Sequence, residues 1–142
     1  LGALGEQTYE IRGFVWMQGW NDMCTDAAIP EYARNLVNLA GDIRREFGKP
    51  ELPFVVGELG NGGPAKPGSG MQRFRDAQNA GTGKIENALF VPTQEFARPP
   101  ELSPNRGHGH HWFGNAESYF LIGHALGEGM KQLLSAADAQ GN

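Results

Sequence analysis

Five consecutive residues could supply catalytic or binding groups, and they follow a run with the character of a β-strand. The run covers residues 11–17, and the five are Gln18, Gly19, Trp20, Asn21 and Asp22. Asn21 offers an amide donor and Asp22 a carboxylate, while Gly19 lets the backbone bend or a substrate approach closely. Because ligands of α/β proteins bind at the carboxyl ends of strands, this segment is a candidate site.

A second group of polar residues precedes the last predicted helix, and it reads His108-Gly109-His110-His111-Trp112. Three histidines within four positions could provide a catalytic base, bind a metal or simply be solvated. Neutral imidazole is a common metal ligand. However, no paired carboxylate or helical histidine spacing accompanies these residues, as a zinc site would require. His124 lies inside the predicted helix and is interpreted as structural.

Alternating strand-like and helix-like segments must position these two groups. Short apolar runs predict strands over residues 11–17, 53–59 and 87–92. Apolar spacings of three and four predict helices over residues 31–47 and 71–80, and from residue 115 to about 135. The apolar seam of the last helix consists of Tyr119, Ile122, Leu126, Met130 and Leu133. Residues 60–70 and 93–109 are rich in glycine, proline or polar residues and are predicted loops.

This alternation predicts an α/β fold with a parallel sheet between two helical layers. Three strands are few for such a sheet, so its first strands are expected upstream of Leu1. Loops after parallel strands converge on one edge of a sheet. We therefore expect the segment after the first strand and the histidine group to face each other.

Composition excludes several classes of protein. The 142 residues suit one domain, with 39% hydrophobic and 20% charged residues. The net charge of −4 argues against a nucleic-acid partner. The single cysteine, Cys24, excludes an internal disulfide and a cysteine-based zinc site. No run approaches the roughly 18 apolar residues of a membrane helix, so no membrane partner is expected. Oligomeric state is not encoded in these features.

Three blocks of the sequence resemble one enzyme family in the right order. The segment Gly19-Trp20-Asn21-Asp22 is similar to the glycine-x-asparagine-aspartate block of the SGNH hydrolases. Its context, Phe14-Val15-Trp16-Met17-Gln18-Gly19, resembles the sialate O-acetylesterase-like carbohydrate esterases of that superfamily. Residues 53–59 are similar to the family's next strand, and residues 111–119 resemble its histidine-containing final block.

The resemblance implies a three-layer α/β/α fold and hydrolysis of acetyl esters on sugars by a serine nucleophile, without a cofactor or metal. His111 would be the general base. Asn21 and the Gly19 backbone would hold the oxyanion, and Gln18 would form a second polar wall. Related esterases are commonly exported, which would place this one in the periplasm or outside the cell.

Four further residues are expected to contact the acetylated carbohydrate: Asp22, Trp20, Glu58 and His110. For Glu58, at the end of the second predicted strand, an alternative is that it caps a neighbouring helix. Trp20, like Trp16, could instead be a packing residue. His111 is preferred over His110 as the base because it directly precedes the aromatic residue of the final block.

The chain departs from the family at the nucleophile. The family's serine belongs to a glycine-aspartate-serine block on the first strand, and no segment of this sequence matches it. The residue three before His111 is His108 rather than an orienting aspartate, so another carboxylate or a backbone carbonyl would hold the base. These features predict the C-terminal portion, residues 1–142, of a single SGNH-type esterase domain. The alternatives are a non-catalytic carbohydrate-binding or adaptor domain, and a metal-dependent hydrolase that uses the histidines.

Overall fold

The computed structural model describes residues 8–140, apart from the side chains at positions 137, 138 and 140, and shows a parallel sheet between helices. The strands are β1 (Phe14–Trp16), β2 (Phe54–Gly57) and β3 (Ala88–Val91). The helices are α1 (Trp20–Met23), α2 (Ile29–Glu46), α3 (Gly70–Thr82) and α4 (Ala116–Gln140). Short 3₁₀ turns lie between β3 and α4, at Gln94–Phe96, Pro100–Leu102 and Gly109–Gly114.

The three strands form one sheet in the order β1-β2-β3, and both pairings are parallel. Phe14 lies opposite Phe54, which in turn lies opposite Ala88. All four residues of β2 are buried, as expected for a central parallel strand covered on both faces. The α/β fold with a parallel sheet is thus confirmed.

One face of the sheet packs against α2 and α3. Phe54 and Val56 of β2 belong to a buried cluster with Leu36 of α2 and Phe74 of α3. The other residues of β2 alternate to the opposite side, since successive side chains of a strand point to opposite faces.

The other face packs against α4. Val55 of β2 forms a second buried cluster with Ile122 and Leu126. Gly129 brings the helix close to β3, because a Cβ at this position would lie 3.0 Å from the Leu89 side chain. Helices therefore cover both faces, which gives the expected three layers.

The predicted elements exist, but several of their ends are wrong. The strands are shorter than the apolar runs at 11–17, 53–59 and 87–92, because a strand ends where its pairing ends. A short helix, α1, occupies part of the segment that was predicted to be a turn. The last helix continues past residue 135 to Gln140.

Helix boundaries follow local chemistry. Ser69 caps α3 by accepting a hydrogen bond from the backbone N–H of Gln72 at 3.2 Å. Pro30 lies in the first turn of α2, where its missing N–H costs nothing. Gly48, with φ 62°, follows the end of α2. Among the described residues, no helix has both the length and the apolar character needed to cross a membrane.

Candidate active site

A cavity of about 470 Å³ opens at the carboxyl edge of the sheet, where the two predicted groups of residues meet. Seven of the eight predicted site residues line it: Gln18, Gly19, Trp20, Asn21, Glu58, His110 and His111. Met17, Gly57, Leu59, Asn61, Trp112 and Tyr119 complete the lining. Asp22 does not line this cavity.

A larger cavity of about 830 Å³ lies at the opposite edge of the sheet. Its lining comes from segments that precede the strands, including Arg12, Lys49 and Asn87, and from Leu134 and Ala136 of α4. Ligands of parallel sheets bind at the carboxyl ends of strands, so the smaller cavity is the better candidate for chemistry.

Gly19 occupies a position that no other residue could take without strain. Its φ is 146°, and a Cβ there would overlap the ring of Phe74. Helix α1 starts immediately after this turn, at Trp20. The next residue, Asn21, is exposed, and its side-chain amide makes no hydrogen bond within residues 8–140. This amide is therefore available to donate to a bound group.

Gln18 is held from several directions. Its side-chain amide donates to Asp22 Oδ2 at 2.7 Å. Asp22, which does not line the cavity, thus holds the side chain of a residue that does. The Tyr32 hydroxyl donates to the Gln18 carbonyl at 3.1 Å, and burial raises the pKa of Tyr32. Gln78 Nε2 lies 3.3 Å from both the Gln18 and the Gly57 carbonyls, so the ends of β1 and β2 are tied together.

The histidine loop, defined as residues 108–114, comes to the same place. Trp20 and His110 have ring centroids 5.6 Å apart, although they are distant in sequence. The His110 and His111 rings are 4.3 Å apart, and His108 and His111 are 6.5 Å apart. The expectation that the two groups face each other is thus met by direct ring contact.

The backbone of this loop is unusual. Trp112, Phe113 and Gly114 have φ of 52°, 53° and 66°, so three successive residues lie in the left-handed region. Two of them are large aromatic residues, for which this region is uncommon. Trp112 is buried in the cluster beneath α4, which fixes one end of the loop.

Glu58 lies beneath the cavity with its carboxylate engaged. Its Oε2 accepts from the backbone N–H groups of Thr93 and Gln94, at 2.7 and 3.0 Å. Thr93 and Gln94 lie at the start of a short 3₁₀ turn, so the Glu58 carboxylate holds the start of that turn rather than capping an α-helix. Its contact with substrate stays a prediction.

Arg75 of α3 pairs with this carboxylate in the interior. Its Nε lies 3.8 Å from Glu58 Oε1, and both side chains are buried. Arg75 also donates to the carbonyls of Leu59 and Asn61, at 2.8 and 3.3 Å. Burial lowers the pKa of the Arg75 guanidinium, and the Glu58 charge opposes that shift. This pair fixes the segment that follows β2.

Asn61 joins that segment to the histidine loop, and sequence reasoning did not single it out. Its Nδ2 donates to the carbonyls of Gly109 and His110, at 3.2 and 3.0 Å. Asn61 is 6% exposed, and its Oδ1 has no hydrogen-bond partner within the described residues. The signal in the sequence was weak, because Asn61 lies in a glycine-rich stretch that reads as an ordinary loop.

Tyr119 was assigned to the apolar seam of the last helix, and that assignment is wrong. The residue is 48% exposed and lines the cavity. Its hydroxyl donates to the His111 carbonyl at 2.7 Å. A tyrosine at helical spacing fits an apolar pattern whether its ring is buried or lies at the surface with its hydroxyl bonded to a polar partner.

None of the four serines lines the cavity. Ser69 caps α3, and Ser135 lies on α4. Ser103 and Ser118 donate to backbone carbonyls, at 3.0 and 2.7 Å. Cys24 is exposed and also lies outside the lining. The described residues therefore give the cavity two histidines and amide groups but no serine.

The histidines do not assemble a metal site within the described part of the chain. No group of three histidine, cysteine, aspartate or glutamate side chains there could hold a metal ion. His108 instead has its Nδ1 2.6 Å from Asn105 Oδ1. The ring nitrogens of His110 and His111 make no hydrogen bond within residues 8–140, so no described side chain orients either imidazole through its ring.

Comparison with known protein families gives a match over most of the chain. Residues 3–132 match the model of a family described as carbohydrate esterase, sialic acid-specific acetylesterase. Neither a curated protein nor a solved structure matches the chain. The matched region contains all three strands, the segment after β1 and the histidine loop.

Proposed function

Because the chain belongs to the carbohydrate esterase family of sialic acid-specific acetylesterases, we propose that it hydrolyses acetyl esters on sugars with a serine nucleophile supplied from outside these 142 residues. One observation carries the proposal. Asn21, Gly19 and His111 line one cavity, and no serine lies among the described residues that line it. On this proposal the chain is the C-terminal portion of a single SGNH-type domain.

The reaction follows from these groups. The serine hydroxyl attacks the acetyl carbonyl carbon while His111 accepts the hydroxyl proton. The side-chain amide of Asn21 and the backbone N–H of Gly19 donate to the oxyanion. The intermediate collapses, the sugar oxygen leaves with the proton from His111, and an acetyl-serine remains. Water, activated by His111, then releases acetate and restores the serine.

The unpaired side of β1 supports the proposal that an upstream segment completes the sheet. Among the described strands, β1 pairs only with β2, so its other edge is open. Val15 and Met17, in and just after β1, are 46% and 38% exposed. A further parallel strand at this edge would place its carboxyl end beside the cavity, where parallel-sheet sites lie.

The test uses a longer chain that carries an upstream serine block, assayed on acetylated sugars. We expect His111→Ala to lower kcat by about 10³-fold or more, since loss of a triad member leaves only binding and oxyanion stabilisation. His124→Ala, at an exposed position of α4 that does not line the cavity, is the matched control and should retain activity. Normal hydrolysis by the His111→Ala variant contradicts the role of His111. Serine-dependent activity of the 142 residues alone contradicts the external nucleophile.

A non-catalytic carbohydrate-binding domain is the second candidate, and the absence of a serine from the cavity favours it. The Trp20 and His110 rings could supply an aromatic surface for a sugar. The two candidates differ in the sequence upstream of Leu1. A glycine-aspartate-serine-like block there supports the enzyme, and a longer chain that binds acetylated sugars without hydrolysing them supports the binding domain.

A further inference from the structure

The backbone of the histidine loop is strained, although the backbone N–H groups of His111 and Phe113 both donate to the His108 carbonyl at 3.0 Å. Trp112 and Phe113 both have positive φ, and neither is glycine. Such positions persist only where surrounding contacts determine them, and they are common at active sites. The contacts that hold this loop therefore decide where the His111 imidazole lies.

Two side chains from outside the loop hold three consecutive carbonyls. Asn61 Nδ2 donates to Gly109 O at 3.2 Å and to His110 O at 3.0 Å. The Tyr119 hydroxyl donates to His111 O at 2.7 Å. The two side chains approach from different elements, the segment after β2 and the first turns of α4.

The geometry of Asn61 indicates a dedicated role. The two carbonyls set the orientation of its amide, because only the nitrogen can donate to them. This orientation leaves Oδ1 buried without a partner among the described residues, which is a cost. Arg75 holds the Asn61 carbonyl at 3.3 Å, so the residue is anchored from behind by the buried pair with Glu58.

We propose that Asn61 and Tyr119 are positioning residues that hold the His111 imidazole against the cavity. They act through the backbone of the loop, since neither side chain bonds to the ring itself. This inference rests on the proposed role of His111 as the base. Misplacing such a base by about 1 Å costs on the order of 10²-fold in rate, so the two anchors should act on kcat.

The first experiment needs no activity and uses the 142-residue protein. Imidazole ¹H–¹⁵N spectra give the resonances and the titration of each histidine in wild type, Tyr119→Phe and Asn61→Ala. We expect both variants to shift or broaden the His110 and His111 signals and to leave the His124 signal unchanged. Tyr9→Phe and Asn38→Ala are the matched controls, since both residues are exposed and lie outside the cavity.

The second experiment uses the longer chain that carries the serine block. We expect Tyr119→Phe to lower kcat by about 10-fold or more while KM changes by less than about twofold. Unchanged His111 signals together with a wild-type kcat in Tyr119→Phe overturn the proposal. The Tyr119→Phe variant tests the proposal even if Asn61→Ala fails to fold. If wild-type protein is inactive, the proposed function fails, whereas altered His111 signals in the variants still support the anchoring.

Discussion

Gly19 shows how one residue without a side chain makes room for the site. Its φ of 146° is open to glycine, and Phe74 fills the space where a Cβ would lie. Phe74 is itself fully buried in the cluster between the sheet and α3. The turn after β1 therefore packs closely on the core beneath it, and this packing sets the position of Asn21.

We predict that Gly19→Ala lowers the free energy of unfolding by about 2–4 kcal/mol, because backbone strain and overpacking add. Gly41→Ala is the matched control, since Gly41 lies in α2 with open space around it. That control should raise stability by about 0.5–1 kcal/mol. Urea denaturation measures both. Equal stability of the two variants would show that the turn tolerates a side chain.

The segment around Asn61 marks the limit of what the sequence predicts at this scale. Gln18, Gly19, Trp20, Asn21, His110 and His111 could be found because a local pattern carries each of them, a turn after a strand or a motif. Asn61 contacts residues 48 and 49 positions away. No periodicity or motif reports a contact at that separation, so only the folded chain reveals it.

Among the elements, α3 fixes the site without contributing a lining residue. Phe74 supports Gly19, Arg75 holds the segment after β2, and Gln78 ties the two strand ends. These three residues lie on one helical face, at spacings of one, three and four. The spacing of apolar residues does not reveal that a charged side chain and an amide side chain lie on the buried face of a helix.

We predict that Gln78→Leu destabilises the protein by about 2–4 kcal/mol. Gln78 is fully buried, and the change leaves the Leu59 N–H, which donates to Gln78 Oε1 at 2.8 Å, without its partner. Two carbonyls lose their donor as well. Asn79→Leu, at the exposed neighbouring position of α3, should change stability by less than about 0.5 kcal/mol. Thermal and urea unfolding compare the two. A Gln78→Leu variant as stable as Asn79→Leu would remove α3 from this role.

A surface ion pair joins the segment before the histidine loop to α4. Arg98 donates to both carboxylate oxygens of Glu117, at 2.9 and 3.0 Å, and this contact lowers the pKa of Glu117. A carboxylate whose pKa is lower in the folded than in the unfolded protein stabilises the fold at pH values above its unfolded pKa. This stabilisation is lost as the pH falls through the folded pKa. We predict that Arg98→Gln raises the pKa of Glu117, measured by ¹³C NMR titration.

The stability difference between wild type and Arg98→Gln should then be largest at neutral pH and become smaller in acid. A part that does not depend on pH remains, because Arg98 also donates to the carbonyls of Glu95 and Ala97. A Glu117 pKa that is the same in both proteins would show that the pair does not form in solution. Lys131→Gln, which breaks the pair with Glu128, is a control that should leave Glu117 unaffected.

Strands and helices were the more predictable part of the fold, for a physical reason. The apolar runs and helical spacings are local, and each produced an element of the expected type. The ends were less predictable. Phe14–Trp16 is shorter than its apolar run because pairing with β2 ends there, and pairing is a property of two segments.

At the scale of the whole molecule, the open edge of β1 is the feature that bears on function. The Phe14 N–H donates to Pro53 O at 2.8 Å, so in a parallel ladder the backbone groups of Val15 point away from β2. An edge with exposed apolar side chains is a template for another strand. The proposed upstream segment would use it and bring the serine to the cavity.

We predict that the Val15 amide exchanges with solvent rapidly in the 142-residue protein and at least about 10²-fold more slowly in the longer chain, because pairing buries and bonds it. The Val55 amide of the central strand is the control and should be slow in both. Hydrogen exchange by NMR at equal concentrations measures both amides. A longer chain that hydrolyses acetylated sugars while its Val15 amide stays fast would place the serine segment elsewhere. Slow exchange at Val15 in the 142 residues as a monomer would show that this edge is already covered, and the site would then be completed from another side of the cavity.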